Sequence, residues 1–163
     1  MIIVNKSGYL FFKKLKFRCA IGKAGITIKK REGDCVTPKG IFKLVKVFYR
    51  PDRIKNIKTK LRKIKIKENM GWCDDPHNIH YNKQVKIPAK FSYEKLYRTD
   101  KLYDLIIVLS YNMFPVIKNK GSAIFIHVAN KNYKKTKGCI ALKKKNLISL
   151  LSLVNKKTKI KIH

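Results

Sequence analysis

Acidic residues are scarce in this chain: nine Asp and Glu stand against 40 Lys and Arg in 163 residues, a formal net charge of +31. An acidic surface is therefore excluded, and the excess cation favours polyanions such as nucleic acid, anionic lipid or an acidic wall polymer. Lysine is spread along the whole chain, so a lysine-rich composition explains the charge as well as a specific partner does. Cysteine is limited to Cys19, Cys35, Cys73 and Cys139, with no Cys-x-x-Cys pair. That argues against a zinc knuckle and against a disulfide-dense scaffold. No apolar run approaches the roughly 20 residues of a membrane helix, and no period of 20–50 residues recurs as in a repeat array.

What the chain does contain is core-forming material. Hydrophobic residues make up 45% and charged residues 30%, enough for one domain spanning 1–163. Strand signals dominate. Ile2 to Asn5 and Tyr9 to Phe12 read as a hairpin, Lys16 to Ile21 as a further strand, and Ile26 and Ile28 continue the pattern. Arg31 to Gly40 reads as a polar loop and Ile41 to Tyr49 as a half-buried strand. Between Arg50 and Lys67 the sequence supports at most a short edge strand, and Met70 to Asn82 reads as a loop. Leu102 to Ser110 is dense enough for a sheet centre. Ser122 to Ala129 alternates, with Ala123, Phe125 and His127 on one face and Ile124, Ile126 and Val128 on the other. Residues 143–154 have helical spacing, and Lys159 to Ile162 closes with a strand. The class is mostly β with one or two helices.

His127 and Cys139 are the one pair suited to nucleophilic chemistry. An imidazole takes a thiol's proton and holds the sulfur ionised. Twelve residues, ending in Gly138, let the chain return beside the His127 strand, and amides around Gly138 and Cys139 suit an oxyanion site. A core histidine and a small buried thiol explain the same two residues without any chemistry.

Three ordered segments resemble a known family. Gly121-Ser122-Ala123-Ile124-Phe125-Ile126-His127 with Thr136-Lys137-Gly138-Cys139-Ile140 is similar to the His…(Ser/Thr)-x-Gly-Cys signature of L,D-transpeptidase catalytic (YkuD-type) domains. Gly33-Asp34-Cys35-Val36-Thr37-Pro38-Lys39-Gly40-Ile41-Phe42 resembles that family's Gly-Asp-x-x-Thr-Pro-x-Gly-x-Phe segment. Gly71-Trp72-Cys73-Asp74-Asp75-Pro76 with Tyr81-Asn82 resembles a stretch of one branch. The resemblance implies a β-sandwich in which Cys139 attacks a peptidoglycan tetrapeptide stem and expels its terminal D-alanine. His127 is then base and acid, a backbone carbonyl orients the imidazole, and Gly138 and Lys137 flank the oxyanion. The resulting thioester passes to an amine, as a cross-link or an exchanged stem, or to water. Trp72, Tyr81, Asn82 and Thr136 are the groove candidates. No cofactor and no metal is expected, and a monomer is.

The chain departs from the family pattern at three places. Ala141 stands where many members have Arg, Cys35 where Gly is usual, and Tyr111-Asn112 where relatives of this branch often show His-Asn. A metal at His77, His80, Asp74 and Asp75 is less economical than a turn built by the same residues. Tyr93, Tyr97 and Tyr103 are expected to pack, and Lys143 to Lys145 to form a solvated face. Two other functions compete: a lysine-rich nucleic-acid binder, although no helix-turn-helix, RNP or zinc-finger pattern is present, and a Cys-His amidase on another peptide. The N-terminal sequence has no secretory signal pattern, which taken alone favours the cytoplasm, whereas the family's substrate places it in the periplasm or wall.

Overall fold

A computed structural model describes residues 1–163. The N-terminal hairpin of β1 (Ile2–Asn5) and β2 (Tyr9–Phe12) continues into β3 (Leu15–Ala20). A short parallel pair, β4 (Ile26–Thr27) and β5 (Thr37–Pro38), stands apart. The longest strand, β6 (Gly40–Tyr49), carries β7 (Lys63–Lys65) on its edge. Then come β8 (Met70–Cys73), β9 (Gln84–Lys86) and β10 (Tyr93–Lys95), which form their own sheet in the order β10-β8-β9. The chain closes with β11 (Leu105–Leu109), β12 (Phe125–Val128), β13 (Ile140–Leu142), α1 (Lys144–Leu153) and β14 (Lys159–Ile162).

The main sheet runs β11-β12-β13-β3-β2-β1-β14-β6-β7, and β6 also pairs with β11. One strand does both because it is long. Its Gly40 to Lys43 half pairs with β14, and Leu44 to Tyr49 pairs with β11 across a register shift at Val108/Leu109. The result is a barrel-like ring, not the expected sandwich. Closure removes most of the exposed edge that an open sheet would present. The one remaining edge strand, β7, carries Lys63 and Lys65, both exposed.

Two cores follow from the side-chain alternation. Ile107, Leu109, Ile124, Ile126, Val128 and Ile140 point into the ring and meet Leu147, Leu150 and Leu151 of α1. Each of those three leucines is fully buried, worth about 2 kcal/mol apiece. That burial holds the helix, because α1 has no side-chain cap and no acid in its first turn. Ile106, Val108 and Phe125 point outward and meet Met70 and Trp72 of β8, with Phe48, Leu96 and Tyr103. β11 is therefore covered on both faces, the environment its uninterrupted apolar run requires.

Most predicted elements are present with small boundary shifts. The 70–82 loop is the main correction, since it opens with β8, all four residues of which are buried. β5 lies within the expected polar loop, and β9 and β10 had no sequence counterpart. These short strands carry few apolar residues of their own and exist through pairing. Lys143 to Lys145 is not purely a solvated face. Lys144 Nζ reaches the buried Asp104 carboxylate at 3.0 Å, which also receives Arg53 Nη1 at 2.8 Å. This anchors the segment that carries Tyr103.

Candidate active site

The site is built on two neighbouring parallel strands. β12 and β13 pair in the register Ile126 to Ile140 and His127 to Ala141. Cys139, one residue before β13, therefore lies opposite Phe125, two residues before His127. The Phe125 amide donates to Cys139 Sγ at 3.4 Å, and the thiol donates to the Ala123 carbonyl at 3.0 Å. The alternation along β12 puts His127 on the side of Phe125 and Cys139. Tyr103 joins them, with its ring 5.3 Å from the His127 ring and 6.2 Å from Phe125. His127 is buried and Cys139 is partly exposed. The structure thus brings the two predicted residues to one side of the sheet.

The imidazole's tautomer is fixed by its partner. Nδ1 lies 2.9 Å from the Val128 carbonyl, which accepts but cannot donate, so Nδ1 carries the proton and Nε2 is the basic nitrogen. Burial lowers the His127 pKa to about 4, with Arg98 in the same direction and the carbonyls of Val128 and Leu102 and the Asp100 carboxylate opposing. Burial and then the Glu94 charge push the Cys139 thiol up to about 12, against the Phe125 amide and the Lys29 ammonium. Both groups are therefore neutral at pH 7. Both shifts run against the expectation of a sulfur held ionised: the thiol keeps its proton and donates it in a hydrogen bond to the Ala123 carbonyl. Without substrate, iodoacetamide at pH 7 is expected to alkylate Cys139 at least about 10²-fold more slowly than a free thiol. Peptide mapping, with the partly exposed Cys35 as internal reference, gives the rate. Rapid alkylation that persists down to pH 5 would instead reveal a resting ion pair.

The turn before Cys139 explains the sequence around it. Thr136 Oγ1 donates to the Cys139 carbonyl at 2.5 Å and accepts from the Gly138 amide at 3.1 Å. Thr136 is thus committed to the turn, not to a groove. The Gly138 amide is committed with it, while the amides of Lys137 and Cys139 donate to no group of the chain. Of the three amides in this turn, those of Lys137 and Cys139 are therefore the ones left free to meet a ligand. Gly138 has φ +140, and a Cβ there would lie 2.9 Å from the Val36 carbonyl. Thr37 fastens this turn from β5, donating to the Gly138 carbonyl at 2.8 Å and accepting from the Gly22 amide at 2.7 Å.

The Gly-Asp-x-x-Thr-Pro segment is thus scaffold for the Thr136 to Cys139 turn. Asp34 pairs with the buried Lys29 and accepts from the amides of Lys30 at 2.9 Å and Val36 at 3.1 Å. Although burial opposes it, these contacts hold the carboxyl down at about 2. Cys35 does adopt a left-handed backbone, φ +56, where a side chain costs about 1 kcal/mol. Cys35→Gly is expected to raise stability by about 1 kcal/mol in urea titration, with activity unchanged.

Trp72, Tyr81 and Asn82 are buried, so they do not line a groove as expected. Trp72 packs edge-on against Phe125 at 5.1 Å and donates to Asn82 Oδ1 at 3.0 Å. Asn82 in turn accepts from the Ala123 amide at 3.1 Å and donates to the Tyr111 and Asn112 carbonyls. Tyr81 donates to Glu32 and accepts from the Gly121 amide at 2.9 Å. Together they fix Gly121 to Ala123, whose φ of +51 at Ala123 aims that carbonyl at the thiol. Asp75 accepts from the His77 amide and Asp74 from Ser92, contacts of turn construction.

Sequence reasoning missed three residues that act on this site: Tyr103, whose ring packs on His127, and Glu94 and Lys29, whose charges act on the Cys139 thiol. All come from elements remote in sequence, and none carries a local signal. Ala141 is buried in register with His127 and Ala20. The Arg98 guanidinium lies 5.1 Å from the Tyr103 ring and is paired with Asp100. Two open surface hollows, of about 350 and 230 Å3, lie at the β10-β8-β9 sheet and after β10, and neither includes Cys139 or His127.

The barrel-like β fold, with a cysteine and a histidine on adjacent strands, is consistent with the family that the motifs resemble. Residues 1–162 match the family model of the YkuD L,D-transpeptidase catalytic domain, and the chain belongs to that family. Comparison with curated proteins finds no significant match.

Proposed function

We propose that this protein is a single-domain peptidoglycan L,D-transpeptidase with Cys139 as nucleophile and His127 as general base. The observation that carries this reading is the placement of the Cys139 thiol, partly exposed, on the His127 side of the sheet, beside the unengaged amides of Lys137 and Cys139. Because both groups rest neutral, the proton leaves sulfur for His127 Nε2 as the carbon–sulfur bond forms. The carbonyl oxygen of the third stem residue becomes an oxyanion facing the two amides. Collapse breaks the amide bond, and the imidazolium gives its proton to the departing D-alanine amine. A thioester on Cys139 remains, and an amine or water then resolves it.

The surface charge fits the same substrate. A net charge of +31 docks on stem carboxylates and anionic wall polymers, and that attraction weakens with salt. The polymer lies outside the cytoplasmic membrane, which places the enzyme in the periplasm or wall. No helix of the chain is long and apolar enough to cross a membrane.

The test is incubation with purified disaccharide-tetrapeptides and mass analysis of the products. Release of D-alanine together with dimers, exchanged stems or tripeptides is the expected result. Unchanged tetrapeptide in the presence of folded protein would refute the reading. Turnover of unrelated amides alone would favour the amidase alternative.

A further inference from the structure

Glu94 is a half-buried acid on the His127 side of β12 that the mechanism above does not use. It lies on β10, in register with Trp72 of β8, whose ring packs on Phe125. Its carboxylate accepts from Tyr103 Oη at 2.5 Å. The Tyr103 ring in turn packs on His127 and Phe125, and Phe125 holds the Cys139 sulfur. The acid is thus held against the catalytic side of β12 by a defined chain of contacts, yet it remains partly exposed.

Its position is costly for the nucleophile. A carboxylate beside a thiol disfavours the thiolate, and Glu94 is the largest charge contribution raising Cys139. Burial raises Glu94 itself, while the Tyr103 hydroxyl, Arg98 and Lys137 pull it down and Asp74 pushes it up. The chain has only nine acids, and one that disfavours the thiolate would favour a cation arriving at another step. The first half-reaction supplies none at the scissile carbonyl. The second does, because the amine that resolves the thioester arrives in water as an ammonium.

We propose that the Glu94 carboxylate, held by Tyr103 on the His127 side of β12, docks the ammonium of the acceptor and so favours aminolysis of the thioester over hydrolysis. The inference rests on the transpeptidase reading. Of the three ammonium protons, one stays on the new amide nitrogen. A second passes through Glu94 to water, and the third passes through His127 to the departing sulfur. The carbon–nitrogen bond forms, the carbon–sulfur bond breaks, and the Cys139 thiol is restored.

The experiment acylates the whole protein and its Glu94→Gln variant with the tetrapeptide donor and reads the thioester by intact-protein mass. Resolution is then divided between water and two nucleophiles, the stem itself, an ammonium at pH 7, and hydroxylamine, which is neutral there. A charge-assisted contact is worth about 10- to 100-fold. Glu94→Gln is expected to lower the amine-to-water ratio by that factor for the stem and to leave it within about twofold for hydroxylamine. Thioester formation should hold or quicken, since an anion has left the sulfur. Glu94→Asp, which keeps the charge, should recover part of the preference. Equal loss with both nucleophiles, an unchanged ratio, or a matching fall in thioester formation would overturn the proposal. A wild-type protein that forms no thioester would instead overturn the transpeptidase reading, and this inference with it.

Discussion

Cys139→Ala is expected to abolish thioester formation and to cut release of D-alanine by at least about 10³-fold, with the fold intact. The size of the effect follows from the chemistry: no other thiol shares the site. Cys19 and Cys73 are buried in the protein, and Cys35 sits on the loop before β5, its Sγ directed at the Gly33 carbonyl. The fold survives because the sulfur's two contacts are to backbone groups of β12 and its approach, and both lie at a partly exposed position. Losing them costs about 1 kcal/mol. Intact-protein mass after incubation with tetrapeptide, together with a thermal melt, separates the two effects. A variant that still released D-alanine at the wild-type rate would show that the nucleophile lies elsewhere.

Gly138→Ala is expected to lose both stability and activity. Its φ of +140 is a region that side chains rarely adopt, and the added Cβ would meet the Val36 carbonyl at 2.9 Å and Ile124 Cδ1 at 3.4 Å. Strain and displacement together cost about 2–3 kcal/mol, which lowers Tm by about 5–10 °C for a chain of this size. The obstacle is backbone, so the turn moves and not the obstacle. The sulfur and the amides of Lys137 and Cys139 move with it, and a shift approaching 1 Å costs about 10²-fold in rate. Gly25→Ala is the control. Gly25 also has positive φ, +78, but open space around its Cβ position, so it should cost only about 1 kcal/mol and leave the rate unchanged. Equal behaviour of the two variants would show that close approach plays no part at Gly138.

The pattern of the sequence was enough for the strands that form the two cores. Hydrophobic alternation in Ser122 to Ala129 assigned Ile124, Ile126 and Val128 to one core and Phe125 to the other. It could not show that Ser122 to Ile124 stays out of β12, because that depends on positive φ at Gly121 and Ala123, imposed by Asn82 and Tyr81 from a distant loop. Trp72 illustrates the opposite difficulty. Set among turn formers, it has the composition of an exposed loop residue. Its burial comes from β12 and β6 packing over it, a contact with no local trace. The same holds for Thr136, whose hydroxyl suits a substrate as well as a turn until the Cys139 carbonyl and Gly138 amide are placed beside it.

The sequence by itself determined the β class through its periodicity, and its motifs, by their resemblance to a family, pointed to which thiol and imidazole to examine. Tertiary structure decided three further matters: that the sheet closes into a ring, that burial favours the neutral thiol and imidazole, and that an acid from β10 is held by Tyr103, whose ring packs on His127. Each depends on groups far apart in sequence being held a few ångströms apart. Burial and charge act across that space, and no local pattern encodes it.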